Sequence, residues 1–203
     1  MMEAEFAKVE SYTADTSFNV KYGVLEVMNI SDKTDKVMAP LRIFMTFKNV
    51  IDPQPTLTYL VNDELYQFLD DKWVKRPESE AKEYTRFYSN NMNILSTDIK
   101  DNGFGEKDMV MTKEGKNYIL KINMIPNSGT DQEESKVKFT VECVIDSKTL
   151  LPVKLTKNSI SEEGTENLSD GSSTTIVQYS NYNKVDEIIL PKEAESAVVE
   201  PSK

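Results

Sequence analysis

KVKFTVECVIDSKTLLPVKLTK, running from Lys136 to Lys157, decides the fold. Val137, Phe139, Val141, Cys143 and Ile145 alternate with Lys138, Thr140, Glu142 and Val144. A period of two sets one apolar face and one mostly polar face on a single strand. Asp146-Ser147-Lys148-Thr149 supplies turn formers. Val153 and Leu155 restart the alternation, with Pro152 at the strand entrance, where a missing N–H is tolerated. The stretch reads as a long antiparallel hairpin with one dry and one wet face.

Working outward, the same period recurs. Phe18, Val20, Tyr22 and Val24 alternate, and Leu25 and Val27 shift the register by one, so Gly23 is expected at a bulge. Asp32 to Lys36 reads as a polar turn, and Leu41, Ile43, Met45 and Phe47 as the next strand. Leu57, Tyr59 and Val61, then Leu65 to Leu69, then Trp73 and Val74 form a meander, with turns at Asn62-Asp63-Glu64 and Asp70-Asp71-Lys72. Strands are also expected at Met109 to Thr112, Asn117 to Ile125 and Thr174 to Asn181. Asn158 to Ser173 is acidic and rich in Ser and Gly, and is expected to be a long mobile loop.

Two stretches follow helical spacing instead. Met2, Phe6, Val9 and Thr13 predict a short amphipathic helix. That pattern is already under way at Met1, which is expected of a chain cut from a longer precursor. Ala81, Tyr84, Tyr88, Leu95 and Ile99 predict a second helix from about Glu78 to Thr97, with Pro77, Glu78 and Glu80 suited to its start. Residues 1–191 are expected to form a single domain, and 192–203 a tail.

The totals narrow the function classes. The chain has 203 residues, enough for a core. Its formal net charge of -10 disfavours nucleic-acid backbones and anionic lipid surfaces. No apolar run approaches the roughly 20 residues that span a bilayer. It contains no histidine, which removes Ser-His-Asp and Cys-His catalysis and His-containing metal sites. Cys143 is the one cysteine and lies on a dry face, so it reads as a small core hydrophobe. The carboxylate pairs Asp70–Asp71 and Glu133–Glu134 sit in polar loops and read as solvated turn residues. Asp101 to Asp108 has oxygen ligands and glycines but lacks EF-hand spacing, and reads as a plain loop. No enzyme activity, metal or cofactor is expected. Met28, Met38, Met45, Met92, Met109, Met111 and Met124 are many for one small domain, and methionine suits surfaces that receive varied apolar partners.

Ser11-Tyr12-Thr13-Ala14-Asp15-Thr16, the hairpin from Val61 through Trp73 to Lys75, the Asp146-x-x-Thr149-x-x-Pro152 turn, and the closing run from Tyr179 to Pro191 are four further local patterns. Together they resemble the LolA-like and LolB-like lipoprotein carriers and their relatives in Gram-positive cell envelopes. The resemblance covers nearly the whole chain through loose, mostly structural motifs. Periodicity by itself gives a mainly β chain, α+β in class, with an antiparallel sheet and two helices. The resemblance implies that this sheet is strongly curved into an incomplete barrel, with the helices on its concave face. It further implies an exported lipoprotein tethered at the outer face of the cytoplasmic membrane through an upstream lipidated cysteine. Relatives hold acyl chains between sheet and helices, and others are sensors that engage envelope proteins. The family brings no catalytic motif. Arg42 is the one strand-borne arginine near the expected face, and it alternates away from Leu41, Ile43 and Met45.

Two functions follow. The first is a non-enzymatic domain that binds a lipid or acyl chain between sheet and helical lid. Its candidate lining residues are Met45, Phe47, Tyr59, Tyr84, Tyr88, Leu95, Met111, Phe139 and Val141. The second is an extracytoplasmic sensor or protein-interaction domain with a filled core.

Overall fold

The computed structural model describes residues 2–23, 25–49, 54–90, 109–124, 137–161 and 171–200. The chain is mainly β. Its strands are β1 (Ser11–Tyr22), β2 (Leu25–Met38), β3 (Leu41–Asn49), β4 (Thr56–Val61), β5 (Glu64–Leu69), β6 (Lys72–Lys75), β7 (Met109–Glu114), β8 (Asn117–Met124), β9 (Val137–Asp146), β10 (Pro152–Ser161), β11 (Gly171–Ser180) and β12 (Val198–Val199). The helices are α1 (Met2–Phe6) and α2 (Glu78–Asn90). The strands form one open sheet in the order β12-β6-β5-β4-β3-β2-β1-β11-β10-β9-β8-β7. The contacts divide into two compact units, with β1, β2 and β11 each contributing to both.

The first unit holds β7 to β10 and most of β11. The hairpin read from the sequence is there. Cys143 stands opposite Leu155 and Leu120, and Val141 opposite Ile122. Those five side chains and Ile145 are all buried on one face. Burial at this level is worth about 1.5–3 kcal/mol for each large aliphatic side chain. At the turn, the Asp146 carboxylate Oδ1 accepts from the Lys148 and Thr149 backbone N–H groups at 3.0 and 2.8 Å and from the Thr149 hydroxyl at 3.1 Å. Leu150 adopts a φ of 58° to close it. One detail departs from the sequence reading. The register shifts between Pro152 and Lys154, so Val153 bulges out and is exposed, while Pro152 takes the buried place opposite Ile145.

The second unit holds β3 to β6, α2, β12, the start of β1 and the end of β2. The β4–β5 and β5–β6 turns are two-residue loops, Asn62-Asp63 at φ 55° and 61° and Asp70-Asp71 at φ 49° and 60°. Two consecutive left-handed residues match the right-handed twist of the strands they join, and Asn and Asp tolerate that geometry. Asp70 and Asp71 are therefore exposed turn residues. Glu133, Glu134 and the loop at 101–108 lie outside the described residues.

Five expectations are corrected. α1 ends at Phe6, and Ser11 already begins β1, because Phe6 turns inward onto Tyr12 with ring centroids 5.5 Å apart. Gly23, at φ 57°, ends β1 in a turn to β2 and is not a bulge within one strand. Asp32 to Lys36 is not a turn; β2 runs through it to Met38. The Asn158–Ser173 stretch is shorter as a connection, since β10 continues to Ser161 and β11 starts at Gly171. The presumed tail from 192 is partly ordered structure. A 3-10 turn at Lys192–Ala194 buries Ala194, and Val198–Val199 pair in parallel with Val74 and Lys75.

Candidate functional site: the sheet face under α2

β3, β4 and β5 sort their side chains by the pleat. Ile43 pairs with Leu60, Leu60 with Leu65, and Met45 with Thr58, so these share one face. Ile43, Leu60 and Leu65 are 1%, 1% and 0% exposed, and Met45 is buried beside them. α2 lies on this face. Ala81 belongs to the same buried cluster, and Tyr84 and Tyr88 pack against it, a stripe at i, i+3 and i+7. Their rings sit 5.9 Å apart, and the Tyr88 hydroxyl donates to Met45 Sδ at 3.7 Å. Burial raises the pKa of both phenols, so they remain neutral donors.

Behind this stripe stands Lys36, 1% exposed. Its ammonium donates to the Tyr88 backbone carbonyl at 2.5 Å and lies 5.6 and 5.8 Å from the Tyr12 and Tyr88 ring centroids. A lysine at a helix C-terminus satisfies a carbonyl that the helix leaves open. No carboxylate reaches this ammonium among the described residues. Burial brings its pKa down to about 8.

The adjoining stripe of α2 borders a different space. A cleft of about 750 Å³ is lined by Asp63, Glu64 and Glu78 and by Lys75, Arg76, Lys82 and Arg86. Lys82 pairs with Glu78 at 2.6 Å, and Lys75 with Glu64. Ala81, Thr85 and Val199 complete the lining, so charged groups border a partly apolar surface.

The candidate residues read from the sequence divide clearly. Met45, Tyr84 and Tyr88 come together in the α2 cluster. Phe47 continues the Ile43–Met45 face and is half-buried. Tyr59 does not belong. It stands opposite Phe44, faces away from Leu60, and packs its ring 4.6 Å from Phe44 and 5.7 Å from Trp73. Val141 is buried and Phe139 half-buried on the dry face of β9. Met111 pairs with Leu120 but is 60% exposed, because β7 is the last strand of the sheet and no other described strand flanks it. Leu95 lies outside the described residues. Arg42 points away from the α2 face and pairs with Glu187 at 2.5 Å. Lys36 is the residue that sequence reading missed. Its signal was the alternation of Thr34, Lys36 and Met38, hidden within a run that looks like a turn.

Cys143 is fully buried, and burial pushes its thiol up to about 12, which leaves it unreactive. Among the described residues, no three His, Cys, Asp or Glu side chains converge on a common point. No helix among them is long and apolar enough to cross a membrane.

An open, mainly antiparallel sheet with a helix laid across part of one face defines the class. The chain belongs to a family of unknown function, DUF6612, which it matches over residues 1–137. No curated protein matches it. Among solved structures it is similar to the Mycobacterium tuberculosis lipoprotein LppX, at 12% identity and a TM-score of 0.49, over 93% of this chain and 98% of that one. It is similar to LprF from Mycobacterium bovis at 11% identity and a TM-score of 0.48, over 94% and 93%. A LolA superfamily protein from Nitrosomonas europaea aligns at 9% identity and a TM-score of 0.31, over 93% of each chain.

Proposed function

We propose that this chain is a non-enzymatic, extracytoplasmic domain that takes an apolar ligand, a lipid or acyl chain, onto the sheet face beneath α2. One observation carries the reading. Among the described residues, α2 meets the apolar face of β3 to β5 through Ala81, Tyr84 and Tyr88, with a methionine beneath them. A helix held by so narrow a stripe is a low-cost element to lift. Met45 and the two tyrosines are adaptable walls once it moves. Phe47 extends the same face. The sequence resemblance supports placement at the cell envelope, with a membrane tether and an envelope partner.

The test is displacement of an environment-sensitive apolar dye by fatty acids of increasing length. Each methylene buried should contribute roughly 0.8 kcal/mol, about fourfold in affinity, until the slot is full. Tyr88→Asp should abolish uptake. An absence of dye binding, or uptake untouched in folded Tyr88→Asp protein, overturns the reading.

A second reading has its own support. Ala81, Tyr84 and Tyr88 already occupy the face above Ile43, Leu60 and Leu65, as a permanent core would. The chain would then be a sensor or protein-interaction domain, and a flat length series favours it.

A further inference from the structure

Lys36 is out of keeping with its surroundings. An ammonium has three donors, and among the described residues it finds one acceptor, the Tyr88 carbonyl, with two aromatic faces beside it. Among the described residues no charged group pairs with it: Asp32, whose charge reaches the Tyr88 phenol, accepts from the Thr34 hydroxyl at 3.2 Å. Asp35, next in β2, is engaged by the Thr13 hydroxyl at 2.6 Å, and Tyr12, Tyr84 and Tyr88 are phenols whose pKa values burial raises. A structural residue at this place would be better served by methionine or leucine, because an unpaired buried charge is costly. The lysine stands at the end of the Tyr84–Tyr88 stripe, where the apolar face gives way to the helix terminus.

We propose that Lys36 is the counter-charge for the headgroup of the ligand, which is a single-tailed lipid with an anionic oxygen head, carboxylate or phosphate. This rests on the reading that an acyl chain lies under α2. As Tyr88 lifts, the Lys36–Tyr88 carbonyl bond is exchanged for bonds to two ligand oxygens. The tail then follows the face from Met45 toward Phe47. The Tyr12 ring keeps one side of the ammonium shielded, so the new ion pair forms away from water, where it is strongest.

The experiment compares three probes of equal tail length, dodecanoic acid, dodecyl phosphate and dodecanol, in dye displacement at pH 7. At least one anionic probe should bind tenfold or more tightly than dodecanol, and the tighter of the two identifies the head. In Lys36→Met that ratio should fall to near one, whereas the exposed Lys33→Met should keep it. Equal affinity for all three probes in the unmodified protein overturns the proposal, as does a preference that survives in Lys36→Met. If Lys36→Met does not fold, carbon-13 titration of carboxyl-labelled dodecanoic acid bound to the unmodified protein decides instead. The carboxyl should titrate below the free acid, and a midpoint at or above that of the free acid overturns the assignment. Tail-dependent binding of dodecanol without head preference rejects the Lys36 role alone. Failure of all three probes to bind rejects the ligand reading and this assignment with it.

Discussion

The Thr13 hydroxyl donates to Asp35 Oδ1 at 2.6 Å, tying β1 to β2 inside the second unit. Thr13 is 1% exposed and also accepts from the Asn181 side-chain amide at 3.2 Å. Thr13→Val keeps the shape and removes the hydroxyl, leaving a half-buried carboxylate short of a donor. Unpaired groups of this kind cost about 1–3 kcal/mol. Urea unfolding should show a loss in that range with the m-value unchanged. A loss under 0.5 kcal/mol would mean the bond contributes nothing.

The same bond shows where sequence reading succeeded and where it failed. Runs whose alternation is set by apolar side chains were legible, as with Val141, Cys143 and Ile145, because burial selects those residues directly. Ser31-Asp32-Lys33-Thr34-Asp35-Lys36 was not, because its inward residues are polar. Thr34 and Lys36 are buried, and Asp35 is held by Thr13, so neighbouring strands override a turn-like composition. Tyr59 failed for a different reason. An aromatic at a strand position fits either face, and the pairing with Phe44 and Trp73 took the other one. Tyr84 and Tyr88 were legible because helical spacing admits only one apolar stripe.

Asp146 should make the hairpin sensitive to acid. Hydrogen bonds from the Thr149 and Lys148 backbone N–H groups hold its carboxyl below the ordinary aspartate range. A depressed carboxylate stabilises the fold fully above its unfolded pKa, and the contribution is lost as pH falls through the folded value. The window is therefore below about pH 4. Asp146→Ala should lower the Tm at pH 7, and the gap from the unmodified protein should shrink as pH falls below 4. A gap independent of pH would refute the carboxylate's role.

Lys36 predicts a slope of the same sign in an alkaline window. Its folded pKa is about 8 against an ordinary 10.5, so between those values the unfolded chain binds the extra proton and stability rises with pH. Folding with the ammonium charged costs about 3 kcal/mol at pH 7. Lys36→Met removes that titration and also the bond to Tyr88. The stability of Lys36→Met relative to the unmodified protein should therefore decline by about 2 kcal/mol from pH 7 to pH 9.5. Chemical denaturation at both pH values measures it. An unchanged difference would show that Lys36 titrates normally.

Ala194 and Val198 separate the two ways the C-terminal segment could matter. Ala194 is 0% exposed in the turn that packs on β6, where Val74 is 1% exposed, whereas Val198 is 74% exposed on the edge strand. Beyond it, the Glu200 backbone N–H donates to the Lys75 carbonyl at 3.1 Å, and its side chain pairs with Lys72 at 2.6 Å. That ion pair is exposed and worth little. If the segment belongs to the core, Ala194→Asp should cost about 2–4 kcal/mol by burying a charge with no partner. Val198→Asp should stay within about 0.5 kcal/mol, as exposed substitutions do. Urea unfolding of the two variants distinguishes a core element from a tail. Equal, small effects would return residues 192–200 to the status of a tail, since a turn that tolerates aspartate at its buried centre is not holding β6.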